Sequence, residues 1–139
     1  MSLKGLLTMK DKIVLITGGL GFIGKHFVQH CLDSGCYVTN IDMISYASDR
    51  VVMQQFSENT KYQLTKAKVE QLEYLPPCDL IVNFAAESHV DASISNTSKS
   101  FQHNIHSVYR LLELIKERNI SDRPKLVHIS TLDPLARSP

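Results

Sequence analysis

Four glycines fall within seven residues, Gly18, Gly19, Gly21 and Gly24, inside the stretch ITGGLGFIG (Ile16 to Gly24). They fit G-x-G-x-x-G through Gly19, Gly21 and Gly24, and G-x-x-G-x-x-G through Gly18, Gly21 and Gly24. The chemistry of such a turn is anion binding. The first glycine lets the chain leave a strand, the second lets a pyrophosphate approach the backbone, and the third lets a helix pack closely on the strand. A helix starting near Gly21 then aims its free N–H groups and positive dipole end at the phosphates. A carboxylate completes the pattern. Asp42 follows Gly24 by 18 residues, near the ~20 at which a dinucleotide fold places the acid that accepts from the ribose hydroxyls. A carboxylate there would repel a 2′-phosphate, so NAD is expected over NADP. The alternative is a strand-end aspartate that only caps the next turn.

Other reactive residue types form no comparable constellation. The six histidines (His26, His30, His89, His103, His106 and His128) share no ligand spacing, and the His26/His30 pair at i, i+4 lacks an acidic third ligand, so no metal is expected. Cys31, Cys36 and Cys78 are odd in number and without metal-like spacing. Cys31 and Cys36 are expected to pack as small apolar groups. With no signal peptide in view, the expected setting is the reducing cytoplasm. A formal charge of +1 over 139 residues offers no basic field for nucleic acid. No apolar run approaches the ~20 residues of a membrane span.

The elements that must position the turn follow from hydrophobic patterning. Ile13–Thr17 is an apolar run of strand length, as in a strand buried on both faces. Ile23, Phe27, Val28, Cys31 and Leu32 recur at helical spacing until Ser34-Gly35. Tyr37–Asp42 reads as a second strand, Asp49 to Phe56 as a short helix, and Tyr62 to Leu75 is ambiguous. After Pro76-Pro77 the run Asp79–Ala85 is a third clear strand. Phe101, Ile105, Val108, Leu112 and Ile115 mark a longer helix to about Asn119, and Lys125–Ser130 is another strand. Strands alternating with helices predict an α/β fold: a Rossmann-type doubly wound parallel sheet in three layers, truncated after about five strands. Residues 1–11 are expected to be a leader or flexible tail, with a short helical cap as the alternative, and residues 12–139 an incomplete dinucleotide-binding domain whose substrate domain is absent.

Five segments in this order carry a family resemblance: ITGGLGFIG, Ile41-Asp42 with Ser45-Tyr46-Ala47, NFAAESHVDASI (Asn83–Ile94), NIHSVYRLLE (Asn104–Glu113) and HIST (His128–Thr131). The chain resembles the extended short-chain dehydrogenases/reductases, and among them the dTDP-glucose 4,6-dehydratases through Ala85-Ala86-Glu87-Ser88-His89-Val90-Asp91. The resemblance implies a nucleotide-sugar enzyme that retains NAD, oxidises sugar C4, eliminates water and returns the hydride to C6. It also implies site residues. Gly18, Gly21, Phe22 and Ile23 would line the pyrophosphate and Asp42 the adenosine ribose. Ala85 and Ala86 would pass under the cofactor, with Ser88 near the nicotinamide and substrate. Asn104 would take the motif asparagine position, and Thr131 would hydrogen-bond the sugar 4-hydroxyl as the catalytic residue.

Departures from the family pattern narrow that expectation. Leu132 and Asp133 follow Ser130-Thr131 where the dehydratases carry Asp-Glu, and leucine cannot transfer a proton. Ser107-Val108 only half keeps the family's small residue and threonine, Ala92 replaces an arginine, and an acid near the adenine is lost at Ala67-Lys68. The family's Tyr-x-x-x-Lys pair lies downstream of Thr131, beyond the sequence. Tyr62-Gln63-Leu64-Thr65-Lys66 matches that spacing, but it sits in the crossover belonging to the adenine end and reads as a decoy, a surface helix or irregular strand with a solvated Lys face, with a rearranged site that uses it as the alternative. Three functions stay open: the NAD-binding portion of a 4,6-dehydratase-like enzyme, a dinucleotide-binding module or oligomerising fragment without turnover, and a nucleotide-sugar 4-epimerase. Turnover by this chain alone is not expected. A partly uncovered Lys125–Ser130 strand and Leu111/Leu112 helix face predict a homo-oligomer.

Overall fold

The structure, a computed structural model, describes residues 8–45, 48–85 and 97–130, with the backbone alone over 97–103. Five parallel strands form one sheet: β1 (Ile13–Thr17), β2 (Tyr37–Asp42), β3 (Tyr62–Lys66), β4 (Leu80–Asn83) and β5 (Lys125–His128), in the order β3-β2-β1-β4-β5. This is the strand order of the first half of a dinucleotide-binding sheet and two strands beyond, with the reversal of order between β1 and β4. Helices α1 (Gly24–Asp33), α2 (Arg50–Ser57) and α3 (Thr97–Lys116) supply the outer layers.

The central strand shows why the sheet is covered on both sides. Val14 and Ile16 of β1 point into a cluster with Val28, Cys31 and Leu32 of α1, Phe56 of α2 and Val82 of β4. Leu15, between them, points the other way, into a cluster with Ile41, Val69, Leu75, Ile81 and the α3 residues Leu111 and Leu114. Successive strand side chains alternate faces, so an unbroken apolar run is what burial on both faces requires.

Helix ends are set by local chemistry. α1 closes in a Schellman motif: Gly35 (φ 80°) donates to the Leu32 carbonyl and Cys36 to the Cys31 carbonyl, each at 3.0 Å. Asp49 caps α2 by accepting from the Val52 amide at 3.1 Å. Upstream of β1, Met9 packs on the first cluster and its carbonyl accepts from the Lys12 amide.

The ambiguous Tyr62 to Leu75 segment resolves into edge strand β3, in register with β2 from Val38↔Tyr62 to Asp42↔Lys66, and a single 3-10 turn at Val69–Gln71. The predicted Leu111/Leu112 face is split: Leu111 is fully buried while Leu112 is about half exposed, because α3 turns only one stripe toward the sheet.

Candidate functional site

The glycine turn leaves the carboxyl end of β1 through Gly18, whose φ of 71° is a left-handed conformation that glycine adopts freely. A side chain at Gly18 would also meet the Ala85 amide nitrogen at 2.9 Å, so the turn lies directly against the chain leaving β4. α1 begins at Gly24, three residues later than the spacing suggested, because the preceding turn bonds elsewhere. Gly18 donates to the Ile41 carbonyl (2.9 Å), Gly19 to Asn40 Oδ1 (2.9 Å), Leu20 to Asp42 Oδ2 (3.0 Å) and Gly21 to the Gly18 carbonyl (3.1 Å). The next three amides, Phe22, Ile23 and Gly24, donate to no described residue, and helical bonding resumes with Lys25 to the Gly21 carbonyl. Three unspent N–H groups therefore gather at the positive end of α1, beneath the exposed side chains of Phe22 and Ile23. That is a donor set for an anion.

Asp42 is buried at the end of β2. Oδ2 accepts from the Leu20 amide, while Oδ1 accepts from the Ile44 amide (2.8 Å) and the Ser48 hydroxyl (3.1 Å). It caps the following turn and also ties that turn to the glycine loop. A carboxylate offers about four acceptor positions, and among the described residues these three bonds leave Oδ2 one more, which could accept from a ribose hydroxyl.

Two further side chains brace the turn from outside. Lys25, in the first turn of α1, pairs with Asp49 at 2.9 Å, and the Asp49 amide donates to the Leu20 carbonyl at 2.9 Å. The Lys25 hydrogen bond, with the Val52 amide second, holds the Asp49 carboxyl below the usual aspartate range. On the buried side, Asn40 takes the Gly19 amide on Oδ1 and donates from Nδ2 to the Tyr62 hydroxyl at 2.9 Å.

Across β1 a second polar chain runs through β4 to β5. The Thr17 hydroxyl donates to Asn83 Oδ1 and accepts from the Ala85 amide at 3.3 Å. Asn83 Nδ2 lies 3.0 Å from His128 Nδ1. With Nδ2 as the donor, the His128 proton belongs on Nε2.

The structure thus brings together Gly18, Gly21, Phe22, Ile23, Asp42 and Ala85 at the carboxyl ends of β1, β2 and β4, the crevice where such sheets bind ligands. Ala86, Ser88, Thr131, Leu132, Asp133 and Ala92 lie outside the described residues. Ser107 is buried and donates to the Asn104 carbonyl. Tyr62 sits on the edge opposite β5, about 19 Å away across four strand spacings, so it does not stand beside Ser130. Its phenol is pushed up by burial, first of all, and by Asp42, the reverse of what a hydride-step base needs. Lys66, four residues along the same strand, is about 13 Å away. Among the described residues no cluster of His, Cys, Asp or Glu could hold a metal.

A family model described as GDP-mannose 4,6 dehydratase matches residues 15–133. The chain belongs to this family. A dTDP-glucose 4,6-dehydratase from Haemophilus influenzae is 35% identical over 112 residues, covering 74% of the chain and 32% of the relative. A dTDP-glucose 4,6-dehydratase from Bacillus anthracis, solved in complex with NAD, superposes with a TM-score of 0.72 at 29% identity, over 87% of this chain and 38% of that one. An epimerase from Methanothermobacter thermautotrophicus shares the fold at a TM-score of 0.77 and 20% identity, over 91% and 37% of the two chains. The chain spans about a third of the length of the first of these relatives.

Residue patterns alone missed Asn40, Thr17, Asn83, Lys25 and Asp49. A signal for the asparagines was present. Each is a polar residue at the carboxyl end of an apolar strand, where burial forces a hydrogen-bonding task on it.

Proposed function

We propose that the chain is the NAD-binding portion of a nucleotide-sugar 4,6-dehydratase-like enzyme of the GDP-mannose 4,6 dehydratase family. The observation that carries this is the accounting of donors in the glycine turn: every amide from Gly18 to Gly21 is spent, and those of Phe22, Ile23 and Gly24 meet no acceptor among the described residues. Those three amides would take the pyrophosphate, Gly18 and Gly21 would let it approach, and Asp42 Oδ2 would accept from the adenosine ribose. Ala85 and Ala86 would pass under the cofactor, with Ser88 near the nicotinamide. When bound, NAD supplies the hydride acceptor and donor for chemistry at the sugar. Thr131 would hydrogen-bond the sugar 4-hydroxyl, a role that rests on the HIST motif.

A second function, a dinucleotide-binding module without turnover, is favoured by Leu132, an aliphatic side chain where the resemblance calls for an acid. A reducing, cytoplasmic setting is supported by three free thiols. No helix of the described residues is long and apolar enough to cross a membrane. A homo-oligomer is supported by Ile105, Tyr109 and Leu112, half exposed or more at i, i+4, i+7 on α3. A scattering mass equal to one chain at high concentration would count against it.

Calorimetric titration with NAD tests the cofactor. The unsubstituted chain is expected to bind, and Asp42→Ala to bind on the order of tenfold to a hundredfold more weakly, as for loss of a charged hydrogen-bond acceptor. Equal affinities would remove Asp42 from the site. Incubation with dTDP-glucose then separates the two functions, since a 4-keto product requires turnover and binding alone leaves the sugar unchanged.

A further inference from the structure

We propose that Asn40 and Tyr62 form a strut that holds the Gly18–Gly19 peptide in the orientation the phosphate turn requires, which makes both of them positioning residues for dinucleotide binding. This rests on the dinucleotide-binding function proposed above. Asn40 lies in the middle of the sheet, level with Ile16 of β1 and Leu64 of β3, and is fully buried. A buried amide side chain is tolerated only with its polar atoms bonded. Asn40 bonds at both ends: Oδ1 accepts from the Gly19 amide and Nδ2 donates to the Tyr62 hydroxyl, each at 2.9 Å. A Cβ at Gly19 would fall 2.5 Å from Oδ1, so the strut end and the turn are already in contact.

Peptide planarity carries the effect onward. The Gly19 N–H and the Gly18 C=O belong to one rigid plane. Holding the N–H on Asn40 therefore fixes where the Gly18 oxygen points. That oxygen accepts from the Gly21 amide at 3.1 Å and lies 2.3 Å from where a Gly24 Cβ would be. Gly24 is the first residue of α1, so a rotation of the Gly18–Gly19 plane would push directly on the segment that presents the free Phe22, Ile23 and Gly24 amides. Tyr62 fixes the outer end. It stands on edge strand β3, half-buried, with its ring 5.3 Å from that of Phe56, and that packing sets the hydroxyl against Asn40.

Amide hydrogen exchange at Gly19 in the ligand-free full chain and NAD affinity by calorimetry, on Tyr62→Phe, Asn40→Leu, the double variant and Leu114→Ala, test the strut. Tyr62→Phe is expected to speed Gly19 exchange and weaken NAD binding about three- to tenfold, as for loss of one hydrogen bond. Asn40→Leu weakens it about tenfold to a hundredfold. In the Asn40→Leu background Tyr62→Phe adds nothing, because the tyrosine acts through the asparagine. Leu114→Ala, in the core cluster on the other face of the sheet, lowers Tm and leaves the affinity in place, the result a purely structural role would give for all four. Unchanged Gly19 exchange in Tyr62→Phe overturns the strut, and this edge-strand variant keeps the test valid should Asn40→Leu fail to fold. Faster Gly19 exchange with unchanged NAD affinity, or additive losses in the double variant, overturns the positioning role. A chain that takes up no NAD overturns the dinucleotide function and with it the affinity claim, while Gly19 exchange still accepts or rejects the strut alone.

Discussion

Two buried asparagines flank the central strand, Asn40 on β2 and Asn83 on β4, and each reaches an outer partner on the next strand. Asn40 takes a backbone amide of the glycine turn and is backed by Tyr62, a half-buried phenol. Asn83 takes a side-chain hydroxyl, Thr17, and is backed by His128, an exposed imidazole. The first chain of bonds ends inside the turn that carries the free amides. The second ends at the Ala85 amide, where the chain leaves β4. The lesson is that the glycine-turn side is built from bonds among described residues between 13 and 66. The opposite side braces strand ends, and the residues expected to act there, Ser88 and Thr131, lie further along the chain.

The largest effect should come from the glycine that closes the phosphate side. Gly24→Ala would place Cβ 2.3 Å from the Gly18 oxygen and 3.0 Å from Gly19 Cα, both backbone atoms. The turn must move, so NAD affinity is expected to fall on the order of a hundredfold and stability by about 1–3 kcal/mol, by calorimetry and urea unfolding. Near-normal affinity would mean that the turn's shape does not govern binding. Asn83→Leu comes next and breaks the comparison on its other side. It removes the acceptor for the buried Thr17 hydroxyl proton, at a cost of about 1–3 kcal/mol in urea unfolding, yet leaves Gly19 exchange at its original rate. A rise in Gly19 exchange would show the two asparagines to be one network.

The smallest effect concerns Asp49, whose carboxyl is lowered by Lys25 and the Val52 amide. A depressed folded-state pKa adds stability above the unfolded value of about 3.9, and that stability is lost as pH falls through the folded value. Asp49→Asn should therefore be slightly less stable than the unsubstituted chain near neutrality, with the gap closing as the pH is taken below about 4. A gap that persists undiminished in acid would trace to the loss of packing or capping rather than to the ion pair.

Much of this was legible in residue order, for physical reasons that differ by element. β1 was expected at Ile13–Thr17, where it stands, because burial on both faces writes an unbroken apolar run, and β2 stands at the expected Tyr37–Asp42 although Thr39, Asn40 and Asp42 interrupt its apolar residues. β3 escaped that logic. As an edge strand it alternates half-buried and exposed residues, and Tyr-x-x-x-Lys spacing fits a helix as well as a strand. The start of α1 was placed three residues early because spacing cannot show that Gly18, Gly19 and Leu20 spend their amides on β2 and Gly21 on the Gly18 carbonyl. Asp42 was expected as a ribose acid or a turn cap, and its oxygens serve the turn cap and the glycine loop together. The asparagine struts were not anticipated, since their partners lie 21 and 22 residues away for Asn40 and 45 and 66 for Asn83, distances at which only the folded sheet creates the contact.

The most direct test is an NAD titration followed by amide resonances in the full chain. The free donors predict that Phe22, Ile23 and Gly24 show the largest amide shifts and saturate together, with Leu20 responding through Asp42. Shifts that saturate elsewhere, leaving Phe22, Ile23 and Gly24 unmoved, would contradict the assignment of the glycine turn as the pyrophosphate site.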